Sequence, residues 1–124
     1  MRAMGKVMSK FQNWIELDFP NNIIYKIVHK NERIKLCYVG RTNNFNKRQG
    51  EHKRACWSSD TKLYETMRKY GGFGNFTMTA LEIRDCIDER AANQRELKWM
   101  KKLRANMNTK MMNQLYLYRI AKIE

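Results

Sequence analysis

The 124-residue sequence lacks any hydrophobic run near the ~18 residues that a membrane-spanning helix needs, which excludes a transmembrane segment of that kind. Its first residues, MRAMGKVMSK, contain no apolar stretch typical of a secretory signal peptide. The chain has only one proline and six glycines, and this scarcity argues against a low-complexity or disordered chain. The sequence therefore predicts one folded domain with a packed core.

Cysteine and histidine, which are the usual zinc ligands, are also scarce. Cys37, Cys56 and Cys86 match no C-x-x-C spacing, and the only histidines are His29 and His52. We therefore expect no structural zinc site. Three free thiols favour a reducing, intracellular setting for the protein.

Acidic residues are few beside basic ones, since 12 Asp and Glu accompany 25 Lys and Arg and give a net charge of +13. Such a charge favours nucleic acid or an anionic membrane surface as partner. Residues 21–60 and 91–124 each carry a net charge of +6, so the fold can bring them together as one basic face. The membrane alternative is weaker, because the basic residues do not oppose one broad apolar helix face.

The hydrophobic pattern predicts two strands, two helices, a strand and a helix. Residues 1–20 form an N-terminal extension, in which 9–17 are predicted to be a short amphipathic helix. The segments IIYKIVHK, from residue 23, and IKLCYVG, ending at residue 40, predict a β-hairpin. The remaining predicted elements are helices over residues 44–55, 61–70 and 88–104, a strand over 75–83 and a strand or short helix within 111–120. We therefore expect a small α+β domain over residues 21–124, with a mixed or antiparallel sheet flanked by helices.

Two short motifs lie on the predicted hairpin, IIY at residues 23–25 and YVG at residues 38–40. Further along come the segments NKRQGEH with Arg48 and His52, NQRELKWMKKL with Glu96, and KMMNQ with Asn113. In this order, over about residues 22–114, the sequence resembles the GIY-YIG nuclease family. One departure is Ile23, which stands where the family usually has glycine.

The resemblance implies a DNA endonuclease that hydrolyses phosphodiester bonds with one divalent metal ion, Mg²⁺ or Mn²⁺. The implied substrate is double-stranded DNA, and the implied products carry 5′-phosphate and 3′-hydroxyl ends. The alternative is a non-catalytic, basic nucleic-acid-binding module, which fits the charge of the chain equally well. Glu96 separates the two, because a pure phosphate binder gains nothing from a carboxylate in its groove.

Glu96 lies in a helix that is otherwise rich in basic residues. Its neighbours one turn away are Ala92, Asn93, Trp99 and Met100. A surface carboxylate on such a helix would usually have a cation in register, so Glu96 is predicted to point toward the core. The resemblance implies that Glu96 is the metal ligand; the alternative is a partly buried Glu bonded to a tyrosine hydroxyl or a distant Arg. No other acidic side chain occurs in residues 91–123, which favours one metal ion over two.

The resemblance places Arg48 at the scissile phosphate, where its guanidinium group can offset charge that develops in the transition state. The alternative is an ordinary ion pair with Glu51, three residues later on the helix. His52, one turn beyond Arg48, can move a proton, orient a tyrosine or bind phosphate, or it is simply structural.

Tyr25 and Tyr38 occupy adjacent antiparallel strands, where aromatic residues most often form core. The resemblance implies instead that one tyrosine helps to activate the attacking water. We favour Tyr25 as the base, with Tyr38 bonding the water held by the metal, and the sequence leaves open whether Tyr25, Tyr38 or His52 takes the proton. A free phenol has a pKa of about 10, and we expect Arg48 and the metal to lower it. Asn113 is expected to position a tyrosine or a phosphate, or else to be a turn or capping residue.

Basic residues crowd both the predicted catalytic helix and the helix of Glu96. They are candidates for contacts to the DNA backbone, which supply affinity without sequence choice. These predicted DNA-binding residues are Arg41, Lys47, Lys53, Arg54, Lys98, Lys101 and Lys102.

Overall fold

The computed structural model describes residues 5–8, 14–17 and 19–108. Its elements are β1 (Gly5–Met8), β2 (Trp14–Leu17), β3 (Phe19–His29), β4 (Cys37–Thr42), α1 (Phe45–Ala55), α2 (Lys62–Lys69), β5 (Phe76–Cys86) and α3 (Glu89–Leu103). A 3₁₀ turn at Phe73–Asn75 precedes β5. The predicted order of two strands, two helices, a strand and a helix is confirmed from β3 to α3.

The helix predicted over residues 9–17 is wrong for Trp14–Leu17, which is β2 and pairs antiparallel with β1. Aromatic and β-branched residues such as Trp14 and Ile15 suit a strand as well as a helix face, so a short window does not separate the two. The element predicted within residues 111–120 lies outside the described residues.

A three-stranded antiparallel sheet, in the order β4-β3-β5, forms the centre of the domain. Tyr25 of β3 stands opposite Gly40 of β4, and Ile27 stands opposite Tyr38. Because side chains alternate along a strand and paired residues share a face, Tyr25, Ile27 and Tyr38 lie on one face. This small α+β architecture confirms the predicted fold class.

Hydrophobic residues cover both faces of the sheet. On the face of Tyr25 and Ile27, the core includes Leu63, Tyr64 and Met67 of α2. On the opposite face, Met100 of α3 packs with Ile24 and Val39, among others. All three cysteines fall among the described residues and are free thiols. No helix in the described part of the chain has the length and apolar character that a membrane crossing requires.

The chain returns after α3 to cover the outer edge of β4. The Asn108 side chain binds both backbone groups of Val39: its Oδ1 accepts from the amide at 2.9 Å, and its Nδ2 donates to the carbonyl at 2.7 Å. Asn106 binds the backbone of Cys37 in a similar way, through its Oδ1 at 2.9 Å and its own amide at 3.0 Å. These bonds satisfy an edge that would otherwise present unpaired backbone groups, and they hold the YVG motif in place.

Candidate active site

Tyr25 lies near the middle of β3 with its side chain fully buried. A Cβ at Gly40, on the paired strand, would overlap the Tyr25 hydroxyl oxygen and lie 2.9 Å from Cε1 of Tyr38. Glycine in a strand commonly marks such a close approach. Gly40 therefore gives the phenol ring of Tyr25 the space that it occupies.

His52 of α1 lies directly behind Tyr25 and is completely buried. Its Nε2 is 2.7 Å from the Tyr25 hydroxyl, and its Nδ1 is 2.9 Å from the hydroxyl of Tyr64 on α2. Burial, reinforced by the positive charge of Arg48, lowers the pKa of His52 to about 4. His52 is therefore a neutral imidazole at neutral pH, with one nitrogen available as donor and the other as acceptor.

Arg48, one turn before His52 on α1, forms the ion pair with Glu51 that the sequence offered as an alternative, and it also contacts Tyr25. Its Nε donates to the Tyr25 hydroxyl at 3.3 Å, and its Nη1 donates to Glu51 at 3.0 Å. The Arg48 side chain retains 35% of its exposure, so the guanidinium group is held in place while still facing solvent.

The pKa values of the two phenols are raised in the structure, whereas the sequence led us to expect them to be lowered. Burial raises the pKa of Tyr25 well above its ordinary value, with Tyr38 adding to the rise. The hydrogen bond from Arg48 lowers this pKa, as predicted, but burial outweighs it. Burial, followed by the charge of Glu96, also raises the pKa of Tyr38. Both phenols therefore keep their protons at neutral pH in the protein alone.

These groups border a cleft of about 350 Å³ at the edge of β4. Its lining comes from both faces of the sheet and from the chain after α3, and consists of Tyr25, Tyr38, Arg41, Arg48, Thr61, Leu63, Tyr64, Glu96, Met107 and Asn108. Glu96 is 5% exposed, as its predicted position on the core side of α3 requires. The predicted residues Tyr25, Tyr38, Arg48 and Glu96 thus meet in one cleft, with His52 behind them.

The donor groups of the cleft would fit a divalent ion that takes few protein ligands. Within residues 19–108 no three or more His, Cys, Asp or Glu side chains come together as a metal cluster. Mg²⁺ takes few protein ligands, commonly one or two carboxylates, and fills its remaining positions with water and substrate phosphate. The Glu96 carboxylate in a cleft that also offers tyrosine hydroxyls fits that requirement.

A second cavity, of about 430 Å³, adjoins the cleft and shares Arg41 and Arg48 with it. Lys47 and Asn22 also line this cavity. Asn22 is 3% exposed, and its Nδ2 has no hydrogen-bond partner among the described residues. Arg41 is oriented by Asn93, which accepts from its Nη2 at 3.0 Å. The cavity therefore places cationic and donor groups beside the cleft.

The other predicted DNA-binding residues lie away from the cleft. Lys53 and Arg54 are exposed near the end of α1, and Lys53 lines a separate cavity beside Phe73. Three exposed lysines of α3 lie two, five and six residues after the buried Glu96. Because of this spacing, they lie on the opposite side of the helix from Glu96. They are Lys98, Lys101 and Lys102, and none of them lines the cleft or the adjoining cavity.

Five residues that line the cleft are absent from the site predicted from the sequence: Thr61, Leu63, Tyr64, Met107 and Asn108. From the sequence, Tyr64 is a candidate either for stacking on bases or for packing in the core, with packing favoured; in the structure its hydroxyl also contacts His52. Asn108 follows the helix of Glu96 and lines the cleft, whereas the resemblance points to Asn113, which lies outside the described residues. The spacing of Leu63, Tyr64 and Met67 on α2 signals a buried Tyr64, but no sequence pattern pairs it with His52.

A comparison with known proteins identifies the family to which the chain belongs. A protein-family model described as the GIY-YIG catalytic domain matches residues 21–110. No curated protein and no solved structure matches the chain. The matched range contains the three-stranded sheet except for Phe19 and Pro20 at the start of β3, the helices α1, α2 and α3, and every residue of the cleft. Because the match covers well over half of the sequence, the chain belongs to the GIY-YIG family of nucleases.

Proposed function

We propose that the protein is a metal-dependent endonuclease that hydrolyses phosphodiester bonds in double-stranded DNA. The family generally hydrolyses DNA, which supports nuclease activity at that level. The observation that carries the finer proposal is the meeting of a Tyr25–His52–Arg48 hydrogen-bonded group with the buried Glu96 carboxylate at one cleft.

Arg48 binds the phosphate that is cleaved. It lines both the cleft and the adjoining cavity, and its bonds to Tyr25 and Glu51 hold the guanidinium group in one orientation. A planar guanidinium group can donate to two phosphate oxygens at once. Held in place before the substrate arrives, it stabilises the negative charge that develops as water attacks.

Tyr25 receives a proton from the attacking water and passes its own proton toward His52. Its raised pKa means that it works as a hydroxyl group that relays a proton, and not as a phenolate formed in advance. Attack at phosphorus breaks the bond to the 3′ oxygen, which leaves as an alkoxide and takes a proton from solvent water, so that the products carry 5′-phosphate and 3′-hydroxyl ends. Tyr38, on the neighbouring strand, orients the attacking water. Asn113 positions a phosphate or a tyrosine.

Glu96 is the residue that would hold the divalent ion, Mg²⁺ or Mn²⁺. When bound, the ion supplies positive charge that offsets the charge of the phosphate oxygens. Glu96 is well suited to this part, because its buried carboxylate lines the cleft in which the phosphate is proposed to bind, and a divalent ion there would offset both negative charges.

The basic residues bind the DNA backbone on either side of the cleaved bond. Arg41 and Lys47 lie in the cavity that adjoins the cleft, so they contact the nearest phosphates. Lys53 and Arg54 extend the basic surface of α1. The lysines of the far side of α3, Lys98, Lys101 and Lys102, add long-range attraction for the duplex.

The test is cleavage of supercoiled plasmid with Mg²⁺ and with a chelator, using the wild-type protein, Glu96→Gln and Glu65→Gln. Glu65 is an exposed carboxylate on α2, so Glu65→Gln controls for the loss of one negative charge. We expect cleavage to need both metal and Glu96, and to survive Glu65→Gln. Binding of plasmid by Glu96→Gln should persist or increase, because a negative charge leaves the cleft.

Equal cleavage by wild-type protein and Glu96→Gln would remove Glu96 from the mechanism. Tight, salt-sensitive binding without any cleavage under these conditions would instead favour the non-catalytic binding module.

A further inference from the structure

Tyr64 is a residue of the cleft to which the proposed mechanism has given no part. It is 8% exposed, it lines the cleft, and its hydroxyl lies 2.9 Å from Nδ1 of His52. On its other side, His52 places Nε2 2.7 Å from the hydroxyl of Tyr25. The imidazole ring therefore connects two tyrosine hydroxyls, both at the cleft.

The direction of these two bonds depends on which nitrogen of His52 carries the proton. A neutral imidazole has one N–H donor and one acceptor nitrogen. If Nδ1 carries the proton, it donates to Tyr64, and Nε2 accepts from the hydroxyl of Tyr25. If Nε2 carries the proton, both bonds reverse.

The two tautomers of His52 differ in whether the Tyr25 oxygen can still accept a hydrogen bond from water. The Tyr25 oxygen has two acceptor sites, and the Nε–H of Arg48 occupies one of them at 3.3 Å. A donor at Nε2 of His52 would occupy the second, so that Tyr25 could only donate into the cleft. With the proton on Nδ1, Tyr25 donates to His52 and keeps one acceptor site for a water molecule.

We propose that Tyr64 is a positioning residue that holds His52 with its proton on Nδ1, so that the Tyr25 oxygen can accept a hydrogen bond from the attacking water. This inference rests on the proposed hydrolysis of DNA. It gives the chain of bonds one direction: Arg48 donates to Tyr25, Tyr25 to His52, and His52 to Tyr64. The hydroxyl of Tyr64 then donates into the cleft, where phosphate oxygens of the substrate are strong acceptors. A chain that starts at a cation and ends at an anion has all its dipoles aligned, and such chains strengthen each bond.

The proton position is measurable without any nuclease assay. Protein labelled with ¹⁵N at histidine gives long-range ¹H–¹⁵N spectra that distinguish the two tautomers, and His52→Gln assigns the signals. His29 is an internal reference of the opposite kind, because its Nδ1 accepts from the amide of Asn31 at 3.0 Å and its Nε2 faces the carbonyl of Tyr70 at 3.3 Å. We expect His29 protonated on Nε2 and His52 on Nδ1.

The variant Tyr64→Phe removes the hydroxyl group and keeps the ring that packs in the core. We expect the Nε2-protonated form of His52 to become populated and kcat to fall roughly tenfold to a hundredfold, a partial loss of the roughly 10²- to 10⁴-fold that positioned proton transfer supplies. DNA affinity and KM should stay near their wild-type values. Tyr70→Phe is the matched control, because Tyr70 contacts His29 and lines neither the cleft nor the adjoining cavity.

A wild-type spectrum with the proton of His52 on Nε2 would overturn the inference, whether or not the protein cleaves DNA. So would a Tyr64→Phe variant that keeps the wild-type tautomer, whatever its rate. If the wild-type protein fails to cleave DNA, the proposed hydrolysis fails while the spectra still decide the role of Tyr64. If Tyr64→Phe fails to fold, the wild-type spectrum alone decides.

Discussion

The fit between Gly40 and Tyr25 sets the position of the phenol hydroxyl at the cleft. A methyl group at residue 40 would overlap the hydroxyl oxygen of Tyr25 and lie 2.5 Å from its Cζ. Because the Tyr25 ring is fully buried, it cannot turn aside without moving its neighbours. We expect Gly40→Ala to lower the free energy of unfolding by about 1–3 kcal/mol, as overpacked cores do. Cleavage should fall more than stability alone explains, since His52 and Arg48 lose their partner.

Gly74→Ala provides a matched control for this prediction. A Cβ at Gly74 would meet no atom of the described residues within 4 Å, and the position is exposed. Both variants add one methyl group, so thermal unfolding and plasmid cleavage are compared directly. A Gly40→Ala protein as stable and active as Gly74→Ala would show that Tyr25 does not need its observed position.

The burial of His52 makes the stability of the fold depend on pH. Its pKa is about 4 in the folded protein and about 6.5 in an unfolded chain. Between these values the unfolded chain binds the proton and the folded protein does not, so stability is lost as pH falls from about 6.5 to about 4. The loss is on the order of 3 kcal/mol from this residue. Urea unfolding between pH 7 and pH 4.5 measures it, and the His52→Gln variant should lack this part of the pH dependence. An unchanged pH profile in His52→Gln would contradict the burial of a neutral imidazole.

At the scale of the elements, α3 is fixed to β5 by one partly buried carboxylate. Glu82 of β5 accepts from the Nε of Arg95 at 2.8 Å and from the indole nitrogen of Trp99 at 2.9 Å. The bonds from Arg95, assisted by the one from Trp99, lower the pKa of Glu82 to about 2. Because Glu96 follows Arg95 directly, this anchor also sets the position of the candidate metal ligand along the sheet.

Glu82→Ala tests the anchor. We expect the free energy of unfolding to fall by about 1–3 kcal/mol, because Arg95 and Trp99 lose their acceptor. The effect should be present above pH 4.5 and disappear as pH falls toward 2, since the lowered pKa stabilises the fold only while Glu82 is ionised. Glu65→Ala, at an exposed position on α2, is the control and should change stability little. Equal unfolding curves for the two variants at pH 7 would show that the anchor does not hold α3.

The sequence allows the main elements and most of the cleft to be predicted, because local signals carry them. Alternation places Tyr25 and Tyr38 on the hairpin, and Asp88 caps α3 by accepting from the amide of Ala91 at 2.8 Å. The parts that could not be predicted depend on contacts between distant segments. Tyr64 meets His52 only when α2 packs beside α1. The pKa of Tyr25 depends on how completely the fold buries it.

At the scale of the whole molecule, two groups of basic side chains among the described residues lie on different sides of the domain. Arg41, Lys47 and Arg48 surround the cleft and its adjoining cavity. Lys98 and its neighbouring lysines lie on the far side of α3. The expected single basic face is therefore not formed by these two groups of described residues. A duplex bound at the cleft contacts the residues around the cleft directly. The lysines of α3 act on it mainly by long-range electrostatic attraction.

The variants Lys47→Ala and Lys98→Ala distinguish direct contact with a phosphate from long-range electrostatic attraction, because each removes one exposed lysine and one positive charge. Affinity for a duplex is measured against salt concentration in the Glu96→Gln background, with chelator, so that the DNA stays intact. Removing one lysine–phosphate contact should reduce the slope of log affinity against log salt by about 0.9. We expect this reduction for Lys47→Ala, because Lys47 lines the cavity next to the cleft, and a much smaller change for Lys98→Ala. A larger slope change for Lys98→Ala would place the duplex along the outer side of α3, where Glu96 could not reach its backbone.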